Sequence, residues 1–185
     1  MKILRHYPQV GSLAYPGEVV DLTLVDFSDF DSTEKINYAR SLIEKGATDP
    51  LVNELAHAIV RSVPPRDTIG QAKALLAWVQ GHVTYVDDGV QMFRDAQYTI
   101  RHPSGNCLSA GAILFGSLCE SIAIPVRLCV LEKKVGVFRR DPFHIYCQVG
   151  VPARNPTEWI DAEATQNVPL GWDVAAYAEA NADKL

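Results

Sequence analysis

Apolar residues recur at helical spacing through the first half of the chain, and capping residues mark where each helix should begin. A first helix is predicted from a capping sequence, Asp31 to Glu34, to a stop at Gly46. A second has Asp49 as its cap and Pro50 at its first helical position. A third is predicted to open at Thr68, after a pair of prolines. Three successive amphipathic helices are therefore expected.

The second half of the chain is predicted to consist mostly of strands. Three apolar stretches bounded by turn residues are strand candidates: Val126 to Glu132, Phe143 to Val149 and Trp159 to Asp161. A run that is apolar nearly all round, Cys107 to about Ser121, precedes them and is typical of a central helix. An amphipathic helix from Val174 to Ala182 follows them. Helices first and antiparallel strands later predict an α+β fold, with the cysteine-bearing helix packed on an antiparallel sheet.

Two other stretches are predicted to be irregular. Residues 1–30 are rich in turn residues and contain one strand candidate, Val19 to Val25. We interpret them as an N-terminal extended segment that precedes a single domain over residues 31–185. Residues 90–106 are predicted to form a loop, and its part up to residue 104 could serve as a lid over the following helix.

Composition and charge narrow the class of protein. The chain has 185 residues, of which 48% are hydrophobic and 21% charged, as in a globular domain with a real core. The net charge of −5 and the absence of a basic stripe argue against nucleic-acid binding. The N-terminus lacks the apolar segment of a signal peptide, and no apolar stretch is long enough to span a membrane. Cytoplasmic synthesis and no membrane partner are therefore expected.

The four cysteines and the acidic pairs do not suggest a metal site. No two cysteines have the Cys-x-x-Cys spacing of a zinc site, and most lie among aliphatic residues, where a reduced thiol behaves as a small hydrophobe. Asp87-Asp88 precedes a glycine and is more typical of a hairpin turn than of a calcium ligand set. We expect neither a metal nor a cofactor.

Cys107 is the residue with the clearest chemical potential, because it follows Gly105-Asn106 and begins the apolar helix. A helix N-terminus presents unpaired N–H groups and a partial positive charge, and both favour a thiolate over a thiol. A cysteine placed there can act as a nucleophile near neutral pH. The competing interpretation is an ordinary buried core thiol.

His144 and Asp161 follow downstream, each in a predicted strand. In an extended strand His144, Tyr146 and Gln148 share one face. If the two strands pair as antiparallel neighbours, Asp161 can lie opposite His144 and hold one ring nitrogen while the other faces the thiol. The order Cys, His, Asp suits a nucleophile, a base and an orienting acid. Each residue could instead be structural.

The chain resembles the transglutaminase-like cysteine-enzyme superfamily over roughly residues 68–172. The motifs that carry the resemblance are Gly105-Asn106-Cys107, Leu114 to Arg127 with its Ile-Pro-x-Arg ending, Phe143 to Tyr146 and Trp159 to Asp161, with an upstream match at Ala77 to Tyr85. The sequence departs from the common pattern at Asn106 and Leu108, where many members have acidic residues, and at Ala123, where glycine is usual. The ending Asp161 to Trp172 is similar to that of phage transglutaminase-like proteins.

This resemblance implies a papain-like core and acyl transfer through a thioester. It implies Cys107 as nucleophile, His144 as base and Asp161 as orienting acid. The oxyanion would be held by backbone N–H groups near Cys107, with one further donor from upstream. Candidates for oxyanion or substrate contacts are Gln97, Tyr98, His102 and Asn106, and His102 is also an alternative base.

Three functions remain open at this point. The first is a cysteine enzyme that acts on an amide of a protein or peptide, by hydrolysis (peptidase or amidase) or by transfer to an amine (transglutaminase). The second is a non-catalytic interaction module, such as a phage morphogenesis or virion protein whose partners would be phage structural proteins. The third is acyl transfer from a thioester donor, as in arylamine acetyltransferases. An intact triad favours the first.

Overall fold

The structure, a computed structural model, describes residues 4–8, 21–25, 32–86, 93–135 and 139–180. Near the N-terminus, β1 (Leu4–Pro8) pairs with β2 (Asp21–Val25) as an antiparallel ladder. The strand predicted in the N-terminal segment is thus present over its last five residues. The predicted turn at Asp87-Asp88 lies outside the described residues.

Three helices follow, as the capping pattern predicts: α1 (Ser32–Ala47), α2 (Pro50–Val60) and α3 (Thr68–His82). The Asp49 side chain accepts hydrogen bonds from the amides two and three residues later, which caps α2. Asp67 caps α3 by accepting from the amide three residues later. These helices bury one face each, with side chains such as Ile43, Val52, Ala56, Leu75 and Val79 in the core.

The loop predicted before Cys107 contains a helix that the sequence pattern did not reveal. Helix α4 (Ala96–Arg101) is only six residues long and is capped by Asp95, whose side chain accepts from the Tyr98 amide. One and a half turns are too short to display a helical period, so the prediction of a loop was wrong there. After α4 the chain forms β4 (Ser104–Gly105).

Strand β4 pairs in parallel with β3 (Thr84–Tyr85), the short strand after α3. The Thr84 amide donates to the Pro103 carbonyl at 2.9 Å, and the Val86 amide donates to the Gly105 carbonyl at 3.0 Å. This short ladder fixes the chain immediately before the cysteine. The position of Cys107 is therefore set on its N-terminal side by backbone pairing.

The cysteine-bearing helix is central, as expected. It starts as a π-helix (Cys107–Leu114) and continues as α5 (Phe115–Ser121). Every residue from Leu108 to Cys119 is buried, because the helix packs against α1 on one side and against the sheet on the other. We call the whole segment, residues 107–121, the Cys107 helix.

The sheet is three-stranded and antiparallel, in the order β5 (Val126–Val135), β6 (Arg139–Val151) and β7 (Glu158–Ala162). The last described element is α6 (Val174–Ala180). The predicted α+β fold, with the Cys107 helix on an antiparallel sheet, is confirmed. Among the described residues, none of the helices combines the length and apolar character that a transmembrane span needs.

Candidate active site

Cys107 lies at the first position of the Cys107 helix, and Asn106 is the cap of that helix. The Asn106 Oδ1 accepts from the Leu108 amide at 3.1 Å and from the Ser109 amide at 2.9 Å. These two amides therefore already donate to Asn106. Among the described residues, no hydrogen-bond acceptor is found for the Cys107 N–H. A π-helical turn, which is rare in proteins and common at functional sites, begins at this residue.

His144 lies on β6 and contacts two ionisable side chains. Its Nε2 is 2.5 Å from the Glu163 Oε2, and a side-chain hydrogen bond links it to Cys107. Burial lowers the pKa of His144, but hydrogen bonds and charges from Cys107 and Glu163 outweigh burial and raise it to about 9. Because Nε2 is taken by Glu163, Nδ1 is the ring nitrogen left for the thiol. The ring is thus oriented between a sulfur and a carboxylate.

Glu163 is the buried carboxylate of the site, with 1% of its side chain exposed. Its Oε1 accepts from the Thr165 amide at 2.7 Å and from the Thr165 hydroxyl at 2.5 Å, while Oε2 faces His144. Burial raises the pKa of Glu163, but the hydrogen bond and charge of His144, followed by the Thr165 hydrogen bonds, lower it overall. Both carboxylate oxygens therefore have donors, as a buried anion requires.

Asp161 does not contact His144, so the predicted pairing of these two residues is wrong. Strand register places Asp161 opposite Gln148, four residues along β6 from His144 and so about 13 Å away. The Asp161 Oδ1 accepts from the Gln148 Nε2 at 2.6 Å, and its Oδ2 accepts from the Val174 amide at 3.3 Å. Asp161 instead ties the sheet to the start of α6.

Three of the upstream candidates, Gln97, Tyr98 and His102, lie on or at the end of α4, which packs against the Cys107 helix. The His102 ring stacks on the Tyr98 ring with centroids 4.3 Å apart, and its Nδ1 is 3.2 Å from the Tyr98 carbonyl oxygen. The structure thus brings these two residues into contact with each other. Gln97 is half-buried, and its side-chain amide has no hydrogen-bond partner within the described ranges. Asn106 is adjacent to Cys107, but its oxygen is committed to capping.

Comparison with known proteins identifies the family of the chain. Residues 53–164, more than half of the chain, match the core of the transglutaminase-like superfamily. The chain belongs to the transglutaminase-like superfamily. Membership supports a cysteine-based enzyme at the level of the superfamily. No curated protein matches the chain.

A solved structure shares the fold of this transglutaminase-like chain. It is a protein of Cytophaga hutchinsonii described as a candidate cysteine protease, with a TM-score of 0.51 and 19% sequence identity. The match covers 78% of the present chain and 46% of the other. At this identity the likeness supports the fold alone, and the present chain spans less than half the length of that protein.

The other cysteines of this transglutaminase-like domain sit in less reactive environments. Cys119 and Cys147 are fully buried, and burial raises the pKa of each thiol. Burial also raises the pKa of Cys129, which is half-buried on β5, although Arg127 opposes the shift. Cys107 alone among the four is both at a helix N-terminus and hydrogen-bonded to a histidine.

Sequence reasoning missed Glu163, although a signal for it was present. Counting alternate residues from Asp161 along an extended strand places Glu163 on the same face, one step further on. The register continued beyond β7 would set it opposite Tyr146, whose ring lies 6.3 Å from that of His144. The carboxylate that meets His144 therefore lies two residues from the predicted one, because strand register is not encoded in the local pattern.

Proposed function

We propose that this chain is a cysteine-nucleophile enzyme that acts on an amide bond of a protein or peptide. Cys107 is the nucleophile, His144 the acid–base group and Glu163 the orienting acid. Hydrolysis is the favoured outcome, which would make the protein a peptidase or amidase. The observation that carries the proposal is the continuous contact from Cys107 through His144 to the buried Glu163.

The first chemical step is attack of the Cys107 sulfur on the amide carbonyl carbon. The attacking species is the Cys107 thiolate, and beside it lies the His144 imidazolium, which the raised pKa of His144 favours. A carbon–sulfur bond forms, and the carbonyl π electrons move to oxygen. The His144 proton passes to the amide nitrogen, and the carbonyl double bond forms again as the carbon–nitrogen bond breaks. The amine departs, and the acyl group remains bound to Cys107 as a thioester.

The second step releases the acyl group. Neutral His144 accepts a proton from water, whose oxygen attacks the thioester carbon. A carbon–oxygen bond forms, the carbon–sulfur bond breaks, and the carboxylic acid leaves with the Cys107 thiolate restored. An amine in place of water would give a new amide, which is the transglutaminase outcome. Glu163 stays ionised throughout and stabilises the imidazolium.

The Cys107 N–H is the proposed first donor to the oxyanion. The two following amides are held by the Asn106 cap, so the amide of Cys107 is the one at this helix start that can face a substrate oxygen. Gln97 is the best second donor among the four upstream candidates, because its amide group is uncommitted and α4 packs on the Cys107 helix. Tyr98 and His102 are engaged with each other.

The test is the iodoacetamide alkylation rate of each cysteine between about pH 5 and about pH 9, read by peptide mass spectrometry. We expect Cys107 to react fastest, and to keep that advantage below pH 7 only while His144 is present. His144→Ala should reduce its rate constant at about pH 6 by roughly 100-fold, because an unassisted thiol is almost fully protonated there. Cys119 and Cys147 serve as internal buried controls.

His102→Ala is the matched control, since His102 is the alternative base. It should leave the alkylation profile of Cys107 unchanged. The proposal is overturned if Cys107 in the native wild type reacts no faster than in the urea-unfolded chain. In that event the hypothesis of a non-catalytic interaction module is favoured. The predicted phage origin and virion partners stay predictions, to be tested by co-purification once the catalytic question is decided.

If Cys107 is reactive, a second assay separates the acyl acceptors. A peptide mixture is incubated with the protein in the presence and absence of a primary amine, and products are identified by mass. New carboxyl termini or deamidated glutamine indicate hydrolysis, whereas amine adducts indicate transfer. Cys107→Ala should abolish both products, because no thioester can form without the sulfur.

A further inference from the structure

The chain after β7 is organised around the carboxylate of Glu163. Thr165 donates both its amide and its hydroxyl to Oε1, at 2.7 Å and 2.5 Å. The remaining oxygen is left for His144. Because Thr165 lies two residues from Glu163, the loop folds back on its own acid and fixes the rotation of the carboxylate plane.

Gln80 on α3 holds the same loop from the other side. Its Nε2 lies 2.9 Å from the Glu163 carbonyl oxygen, 2.7 Å from that of Gln166 and 2.9 Å from that of Val168. An amide nitrogen has two hydrogens, so one of them is shared between two acceptors. One side chain, 83 residues away in sequence from Glu163, therefore closes the backbone of the loop.

Thr165 also reaches the helix that carries the nucleophile. A Cβ placed on Gly111 would lie 3.1 Å from the Thr165 methyl carbon, which is closer than most side-chain contacts. Glycine at this position lets the methyl group pack against the Cys107 helix. The same residue thus touches the nucleophile's helix with its methyl group and the acid with its hydroxyl.

We propose that Thr165 and Gln80 are positioning residues that hold the ionised Glu163 carboxylate against His144. The inference rests on the proposed function, since it explains what holds the orienting acid of that site in place. Thr165 fixes the carboxylate itself, and Gln80 fixes the backbone from which the carboxylate extends. Neither residue touches the reacting atoms.

The decisive comparison is Thr165→Val with Thr165→Ser, both read by the pH profile of Cys107 alkylation. Valine has the shape of threonine but no hydroxyl, so Glu163 loses one charge-assisted hydrogen bond. We expect the rate constant at about pH 6 to fall about tenfold and the acid limb to move up by about one pH unit. Serine restores the hydroxyl and should return the profile to within about twofold of wild type.

Gln80→Met tests the second residue, with Gln71→Met on the same helix as its matched control. Methionine keeps the length of the side chain and removes the amide. The three carbonyl groups of the loop therefore lose their donor. We expect the same direction of change at Gln80, about threefold to tenfold in rate constant. Gln71→Met should match wild type. A merely structural role would lower the unfolding midpoint and leave the pH profile in place.

Titration of the His144 ring by NMR gives a readout that does not need reactivity. In wild type the ring should titrate near the raised pKa of about 9, and in Thr165→Val it should titrate lower. A wild-type profile and an unchanged His144 titration in folded Thr165→Val overturn the positioning role while leaving the proposed function intact. If wild-type Cys107 has no enhanced reactivity, the proposed function fails, and the His144 titration alone decides whether Thr165 positions the acid.

Discussion

Two carboxylates, Asp161 and Glu163, stand two residues apart at the end of the sheet and have different surroundings. Asp161 is half-buried and accepts from a neutral amide, that of Gln148, and from the backbone at the start of α6. Glu163 is almost completely buried and accepts from an imidazole and from Thr165. The two acids carry the same charge.

The partner, and not the residue type, gives each acid its role. An amide partner cannot change its protonation near neutral pH, so the contact between Asp161 and Gln148 contains no partner that transfers a proton. An imidazole partner can, so the Glu163 contact can tune a proton-transferring group. The comparison teaches that strand register decides which acid meets the histidine. Asp161 lies within β7, whereas Glu163, two residues further along and just after the end of β7, is the candidate member of a catalytic triad.

The largest expected difference between the two acids is in the reactivity of Cys107. Glu163→Gln should lower its alkylation rate constant at about pH 6 by about 100-fold or more, because a neutral amide no longer stabilises the imidazolium and can turn the ring to the wrong tautomer. Asp161→Asn should change it by less than about threefold, since the asparagine oxygen still accepts from Gln148. Peptide mass spectrometry at matched pH measures both. Equal effects of the two substitutions would refute the division of roles.

The second difference is in the pH dependence of stability. Because the pKa of His144 is raised to about 9 in the folded protein, the contribution of the imidazolium is complete below about pH 6.5 and is lost as pH rises through 9. Because the pKa of Glu163 is lowered, its contribution is present above its ordinary value of 4.5 and is lost as pH falls below that value. The pair therefore stabilises the fold most between about pH 4.5 and about pH 6.5.

Urea unfolding at about pH 6 and about pH 9.5 checks this window. Wild type and Asp161→Asn should both lose about 3 kcal/mol of unfolding free energy between the two pH values, from the displacement of the His144 pKa. Glu163→Gln should lose clearly less, because the imidazolium no longer has its buried anion. A loss in Glu163→Gln as large as that in wild type would show that Cys107 alone holds the charge of His144.

The smallest expected effect is at the structural acid. Gln148→Leu removes the donor to Asp161 and the acceptor of the Arg127 guanidinium, whose Nε lies 2.6 Å from the Gln148 Oε1. Arg127 is exposed, so only about 1 kcal/mol of unfolding free energy should be lost. The alkylation profile of Cys107 should not move. A change in that profile would mean that the Arg127–Gln148–Asp161 chain reaches the site.

The capping pattern determined most of the helices without help from the rest of the fold. Asp49 with Pro50, and Asp67 before Thr68, are local signals for the start of a helix, because each capping side chain accepts from amides only two or three residues away. The same locality explains why α4 was missed: a six-residue helix has a cap, Asp95, but no apolar period to accompany it. The position of Cys107 at the start of an apolar helix was likewise predictable from the sequence.

Only the tertiary structure decided which acid His144 meets and what holds that acid. The pairing depends on the register of β6 against β7, which is set by packing of a whole sheet face and by the loop between the strands, and not by any one residue. Gln80 reaches the Glu163 loop across 83 residues of sequence, a distance at which no local pattern carries information. The sequence by itself therefore determined the helices and the positions of the proposed nucleophile and base within their elements, since these follow from short-range hydrogen bonds and periodicity. The proposed orienting acid and the residues that hold it follow from long-range packing, which only the folded chain specifies.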